Sequence, residues 1–214
     1  MIKNNICVGL DFLESYNYNT YTNLINKTKD IAFCFKINPA FFGKNHKMMI
    51  KVIDFLNKNN ITWIYDGKLG DVLHTNDRYA NYIFNDLNAS GVTLNPFIGY
   101  QALEPFTNFK NKINFLLCIT SNPSSETLQD YFFDSVCKMS EKLSCGLVIA
   151  GNKQDYLKKV IKAYPNKKIL SPGIGAQGGI INNEIKSRNV IYNISRSIIN
   201  SEDPRYELEK YAKQ

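Results

Sequence analysis

Short runs of β-branched, aromatic and other apolar residues recur along the chain, separated by longer stretches in which apolar positions return every three or four residues. Eight runs read as strands: Ile6 to Leu10, Ala32 to Ile37, Thr62 to Asp66, Gly91 to Leu94, Asn114 to Ile119, Gly146 to Ala150, Lys168 to Leu170 and Asn189 to Asn193. The clearest helix spans Lys44 to Asn59, where Met48, Met49, Val52, Ile53, Phe55 and Leu56 make one broad apolar face. Thr75 to Asn88, Gln129 to Leu143 and Gln154 to Tyr164 follow the same period. The fourth connection is the weakest helix, because Pro96 and Pro105 bracket a short segment, and the seventh, Asn182 to Lys186, is also short. Strand-helix alternation repeated eight times in 214 residues favours a compact (β/α)8 barrel over a doubly wound sheet. No Pro/Gly/Ser-rich linker or charge block divides the chain, so residues 1–214 read as one domain.

A barrel of this kind collects its functional groups at the C-terminal ends of its strands. The polar residues obey that rule. Asp11 follows the first strand, Lys36 and Asn38 the second, Asp66, Lys68 and Asp71 the third, Asn95 the fourth, and Ser121 with Asn122 the fifth. Ser171 to Gly179 follows the seventh strand and Ser195-Arg196 the eighth. Each alone reads as a cap or a turn; together they ring one mouth.

Composition changes this picture little. Hydrophobic residues make up 44% of the chain, enough for one sizeable core. The formal net charge is +7, but the lysines are spread along polar helix faces without a concentrated basic stripe, which argues against nucleic acid as the partner. Five cysteines, Cys7, Cys34, Cys118, Cys137 and Cys145, include no CxxC pair and read as small core residues of a reducing compartment. No signal-peptide pattern opens the sequence, and no apolar run reaches the roughly 18 residues a membrane span requires, so a soluble cytoplasmic protein is expected. His46 and His74 are the only histidines and neither has a matching metal-ligand partner nearby.

The candidate chemistry centres on Asp66-Gly67-Lys68-Leu69-Gly70-Asp71. If the third strand runs on to Lys68, its period of two places Asp66 and Lys68 on the same side. Lys36 ends the second strand beside them. Flanking carboxylates stabilise the ammonium form of Lys68, the opposite of what a Schiff-base nucleophile needs. Lys68 therefore reads as a proton donor and electrostatic stabiliser, suited to a carbanion that is generated and protonated in place. Asp71 lies beyond the strand end and reads as serving a neighbouring subunit's site. Gly173, Gly175, Gly178 and Gly179 form a loop in which backbone N–H groups can converge on an anion, and Arg196 sits after the next strand as a bidentate partner. Gln177 lies within that loop, placed to close over a phosphate.

Taken in order, these motifs resemble the orotidine 5′-phosphate decarboxylase family over nearly the whole chain. The resemblance rests on Val8-Gly9-Leu10-Asp11, Phe35-Lys36-Ile37-Asn38, Asp66 to Asp71 with Thr75, Asn95-Pro96-Phe97-Ile98-Gly99, Thr120-Ser121-Asn122-Pro123, Ser171 to Gly179, and Ser195-Arg196. It implies Lys68 as proton donor to pyrimidine C6 within a network Lys36-Asp66-Lys68-Asp71, with Asp71 supplied by the partner of a homodimer. It implies Asp11 and Lys36 on ribose hydroxyls, Thr75 on the ribose from across the interface, and Ser121 on the pyrimidine edge. Pro172 to Gly179 would line the base and phosphate sites, with Gln177 and Arg196 on the phosphate. Neither a metal nor an organic cofactor is implied. Gly67, Leu69 and Tyr100 depart from residues common in relatives. Two alternatives remain open: a metal-dependent sugar-phosphate decarboxylase or aldolase sharing the Asp-x-Lys-x-x-Asp motif, and a non-catalytic basic barrel that binds nucleic acid.

Overall fold

The structure, a computed structural model, describes residues 5–11, 14–175, 177–182, 185 and 189–214. Ala176 of the glycine loop and most of the short helix expected over Asn182 to Lys186 lie outside the described residues. Eight parallel strands close into a barrel in sequence order: β1 (Ile6–Gly9), β2 (Cys34–Ile37), β3 (Trp63–Leu69), β4 (Gly91–Leu94), β5 (Ile113–Ile119), β6 (Gly146–Ile149), β7 (Ile169–Ser171) and β8 (Val190–Ile194). β1 closes the ring on β8 with Cys7 opposite Asn193. Most of these strands are buried on both faces, which is why they read as continuous apolar runs.

The two faces bury different things. Outward residues join the main core against the helices, whereas Cys7, Cys34, Ile64, Phe115, Val148, Leu170 and Ile191 pack together in the barrel's interior. The helices are α1 (Tyr18–Thr28), α2 (Pro39–Phe42), α3 (His46–Lys58), α4 (Leu73–Asn81), α5 (Tyr100–Thr107), α6 (Gln129–Lys142), α7 (Gln154–Ala163), α8 (Arg196–Ile199) and α9 (Pro204–Ala212). Tyr21, Leu24, Ile25 and Thr28 of α1, and Met49, Val52, Ile53 and Leu56 of α3, repeat the same i, i+3, i+4, i+7 stripe toward the strands. The helix expected from Thr75 begins two residues earlier and passes into a wider π turn over Tyr82–Asp86. The weak fourth connection is a 3-10 turn over Pro96–Ile98 followed by α5, which carries Pro105 inside it. All five cysteines are buried, and none forms a disulfide among the described residues. No helix among the described residues is long and apolar enough to cross a membrane.

One strand departs from the sequence reading in a way that shapes the site. β3 does not stop at Asp66 but continues to Leu69, with a register shift against β4 between Tyr65 and Leu69. Lys68 sits in that irregularity with φ of +48°, a region side-chain-bearing residues seldom adopt. Asn60, Asn88, Asn111 and Ser144 share positive φ, but all lie in connections. Lys68 holds that geometry inside a strand.

Candidate active site

The C-terminal mouth of the barrel holds a cavity of about 430 Å³. Asp11, Lys36, Asp66, Lys68, Ser121, Pro172, Gly173, Gln177, Ser195 and Arg196 all line it, so most of the residues expected from sequence meet in one place. A larger cavity of about 560 Å³ opens at the opposite end, below β5, β6 and β7. Two of its lysines are already engaged: Lys167 pairs with Glu141, and Lys112 donates to the Ala89 carbonyl at 2.7 Å. In this fold the reacting groups belong at the other end.

Asp66 organises the mouth. Its Oδ2 accepts from Lys36 Nζ at 2.6 Å, and its Oδ1 accepts from Lys68 Nζ at 2.8 Å and from the Thr93 hydroxyl at 2.8 Å. Burial works against a charged carboxyl at Asp66, but the Lys36 and Lys68 ammonium groups overcome it and hold the group far below the usual carboxylate range. At Lys36 burial likewise opposes the charge, and the attraction of Asp66, with a smaller contribution from Asp11, raises the pKa above an ordinary lysine's. Both groups therefore stay ionised at neutral pH. Both lysines line the cavity, but the Lys36 side chain is 6% exposed and that of Lys68 41%, so Lys68 is the more open of the two.

Asp71 stands apart. Its carboxylate accepts from the Val72 N–H at 2.7 Å, and it makes no ion pair among the described residues. Asn76, fully buried, donates to the Asp71 and Ala102 carbonyls at 2.6 and 2.7 Å and so fixes the turn that leads into α4. Thr75 lies half-buried on α4 and does not line the cavity. Within one chain, then, Asp71 and Thr75 do not join Lys68.

On the β1–β8 side, the Ser195 hydroxyl lies 2.5 Å from Asp11 Oδ2 and 3.0 Å from the Gly9 carbonyl. Gly9 permits that approach, since a Cβ there would stand 2.9 Å from the Ser195 Cβ. The loop after β7 turns at Gly173, Gly175 and Gly178, all with positive φ. Its amides are partly closed on the loop itself: Gly175 N–H donates to the Gly179 carbonyl, Gly178 to Gly175 and Gly179 to Gly173. Gly173 is suited to glycine by its φ of +87°, which a side-chain-bearing residue seldom adopts. Gln177 and Arg196 are exposed at the rim, and the apolar wall opposite comes from Leu117, Val148, Leu170 and Ile174.

Several polar residues of the predicted ring serve local structure. Asn38 and Asn95 accept from the N–H groups of Ala40 and Phe97 at 3.0 and 3.1 Å, capping the short helical turns that follow them. Two further residues went unnoticed in the sequence. Asn193, 6% exposed, lines the cavity with its Oδ1 lacking a hydrogen-bond partner, and Thr93 touches Asp66. A polar amide at an inward position of a buried strand was the available signal for Asn193. No cluster of metal-ligating side chains forms among the described residues.

The family described as Orotidine 5′-phosphate decarboxylase / HUMPS matches this chain over residues 4–211. An orotidine 5′-phosphate decarboxylase of Dehalococcoides mccartyi (strain CBDB1) is 33% identical over 203 residues, covering 83% of this chain and 74% of that protein. One from Roseiflexus castenholzii is 31% identical over 92% of this chain and 84% of its own length. Among solved structures, a Leishmania donovani UMP synthase superposes with a TM-score of 0.91 and 29% identity over 99% of this chain, which spans 53% of that longer protein. With the family match running through almost every residue that lines the mouth, the chain belongs to the orotidine 5′-phosphate decarboxylase / HUMPS family of barrel enzymes.

Proposed function

We propose that this chain decarboxylates orotidine 5′-monophosphate to UMP and CO2 at the Lys68 mouth, without a cofactor, and that it does so as a homodimer. The reaction itself follows from the family and from relatives that carry that name. The observation that carries the mechanism is the division of labour around Asp66: Lys36 is buried against one oxygen, while Lys68 on the other keeps its ammonium open to the cavity. When the bond from C6 to the carboxylate carbon breaks, CO2 leaves and the electron pair stays on C6. The Lys68 ammonium faces that developing charge and then delivers its proton to C6. The charge network is fixed before substrate arrives, so little reorganisation accompanies the reaction. Leu117, Val148 and Leu170 supply a low-dielectric wall that strengthens the interaction.

Ser121 lies at the end of β5 for the pyrimidine edge, Asp11 and Lys36 for the ribose, and Gln177 and Arg196 for the phosphate. Pro172, Gly173, Gly175, Gly178 and Gly179 shape the loop between the base and the phosphate. A homodimer completes the site by returning Asp71 and Thr75 to the partner's Lys68. Exposed apolar side chains beside them, Val72 and Leu73 after β3 and Phe97 after β4, support an interface on this face. The site and the absence of a concentrated basic stripe suit a small-molecule substrate rather than nucleic acid or a membrane, in a cytoplasmic enzyme.

The test follows loss of orotate absorbance when purified protein meets orotidine 5′-phosphate in EDTA. Wild type is expected to turn over, and Lys68→Ala to lose at least about 10⁴-fold in kcat, since it removes the proton donor and a stabilising charge together. A mixture of Lys68→Ala with Asp71→Ala is expected to regain activity, because a mixed dimer holds one intact site. Inactive wild type, or activity only with added divalent metal, would overturn the decarboxylation reading. No recovery in the mixture would overturn the shared site.

A further inference from the structure

The β3 irregularity leaves two polar obligations side by side. The register of β3 against β4 is broken between Tyr65 and Leu69, and Lys68 stands inside that break. The Lys68 N–H donates to Thr93 Oγ1 at 3.0 Å. The same hydroxyl donates its proton to Asp66 Oδ1 at 2.8 Å. Thr93 is 1% exposed, so no solvent competes for either bond. One oxygen therefore ties the backbone that carries Lys68 to the carboxylate that receives its ammonium.

We propose that Thr93 is a positioning residue for the decarboxylation, fixing through its hydroxyl both the bulged backbone of Lys68 and the rotation of the Asp66 carboxylate. This rests on the function proposed above. Asp66 Oδ1 receives two donors, Lys68 Nζ and Thr93 Oγ1, and Oδ2 receives Lys36 Nζ. Remove the hydroxyl and the carboxylate keeps only its two lysines, whose flexible side chains fix its rotation about χ2 less tightly than a strand-borne hydroxyl. The bulge loses the acceptor of its buried N–H at the same moment. Thr93 does not line the cavity, so substrate contacts are untouched and the effect reaches the reaction only through Asp66 and Lys68. Threonine suits the task twice over, since its branched Cβ also restricts χ1 on a strand.

Thr93→Val keeps the shape and deletes the hydroxyl, whereas Thr93→Ser keeps the hydroxyl and deletes the methyl. With orotidine 5′-phosphate as substrate, the valine variant is expected to lose about 10- to 100-fold in kcat per folded enzyme, the scale that small misplacement of a reacting group produces. Its KM should stay within about threefold, as expected when substrate contacts are spared. The serine variant should recover kcat to within about threefold of wild type, because the hydrogen-bond donor and acceptor return. Should valine prevent folding, Thr93→Ala reads the same quantity with no methyl pressed against the carboxylate. A folded valine or alanine variant with wild-type kcat, a loss confined to KM, or equal losses in valine and serine variants would each overturn the proposal. Each comparison is made against active wild type, so an inactive wild type strikes the proposed function instead.

Discussion

The two sides of the barrel mouth are built on opposite plans. Around β2 and β3, Lys36 and Asp66 are buried, their bonds are 2.6 to 2.8 Å long, and burial is compensated within the chain. Around β7 and β8, Gln177 and Arg196 stand exposed at a loop whose glycine amides bond to one another. On the function proposed above, the first side takes its charges from the folded dimer before substrate binds, and the second is completed by the substrate. That division suits the proposed reaction, in which a charge that develops briefly at C6 needs a fixed environment, while a permanent phosphate can organise its own.

The contrast breaks most severely at Lys36. Lys36→Met leaves Asp66 buried with only the half-exposed Lys68 as an ionic partner, and is expected to lower unfolding free energy by about 3–5 kcal/mol. Chemical denaturation reads that loss, and an unchanged midpoint would mean that the network contributes nothing to folding. On the other side Arg196→Ala should leave the denaturation midpoint in place. It should raise KM for orotidine 5′-phosphate by about 10- to 100-fold, the scale of a lost charge-assisted hydrogen bond at 1.5–3 kcal/mol. A destabilised Arg196 variant with normal KM would erase the distinction between the two sides.

The smallest expected effect is a flat region in stability against pH. Asp66 has a lower pKa folded than unfolded, so its contribution is complete above about pH 4 and is lost as pH falls through the folded value. Lys36 has a raised pKa, so its contribution is complete below about pH 10 and is lost as pH rises through its folded value. Between about pH 5 and 9 this pair should therefore leave the melting temperature unchanged. Subtracting the profile of Lys36→Met from that of wild type isolates the pair, and a slope in the difference would show that one member titrates there.

The barrel was legible because its strands are covered on both faces and stand out as apolar runs with helical stripes between them. The end of β3 was not. Asp66-Gly67-Lys68 looks like a strand terminus, yet the ladder continues through it because charges at a barrel mouth can face a cavity. Tyr18 to Thr28 was not among the helices singled out, although Asn17, which accepts from the Thr20 N–H at 3.0 Å, marks its start. The meeting of Asp66 with Lys68 and Lys36 followed from strand alternation and chain order. Thr93 could not be recognised in the same way: in Gly91-Val92-Thr93-Leu94 it is an ordinary β-forming residue, and its partners lie 25 and 27 positions away across the ladder. The glycine loop showed its capacity to bend, but that its amides would close on its own Gly173, Gly175 and Gly179 carbonyls depends on the path the loop takes after β7.

The positive φ of Lys68 also says something about descent. A lysine held there costs about 1–3 kcal/mol that glycine or asparagine would not. Under drift alone, substitutions relieving that strain would be favoured at this position, and the first to spread would erase the ammonium. On the function proposed above, a lysine kept at a position where the backbone favours another residue is what selection for its ammonium would leave. On that reading, the backbone at position 68 works as a record of use.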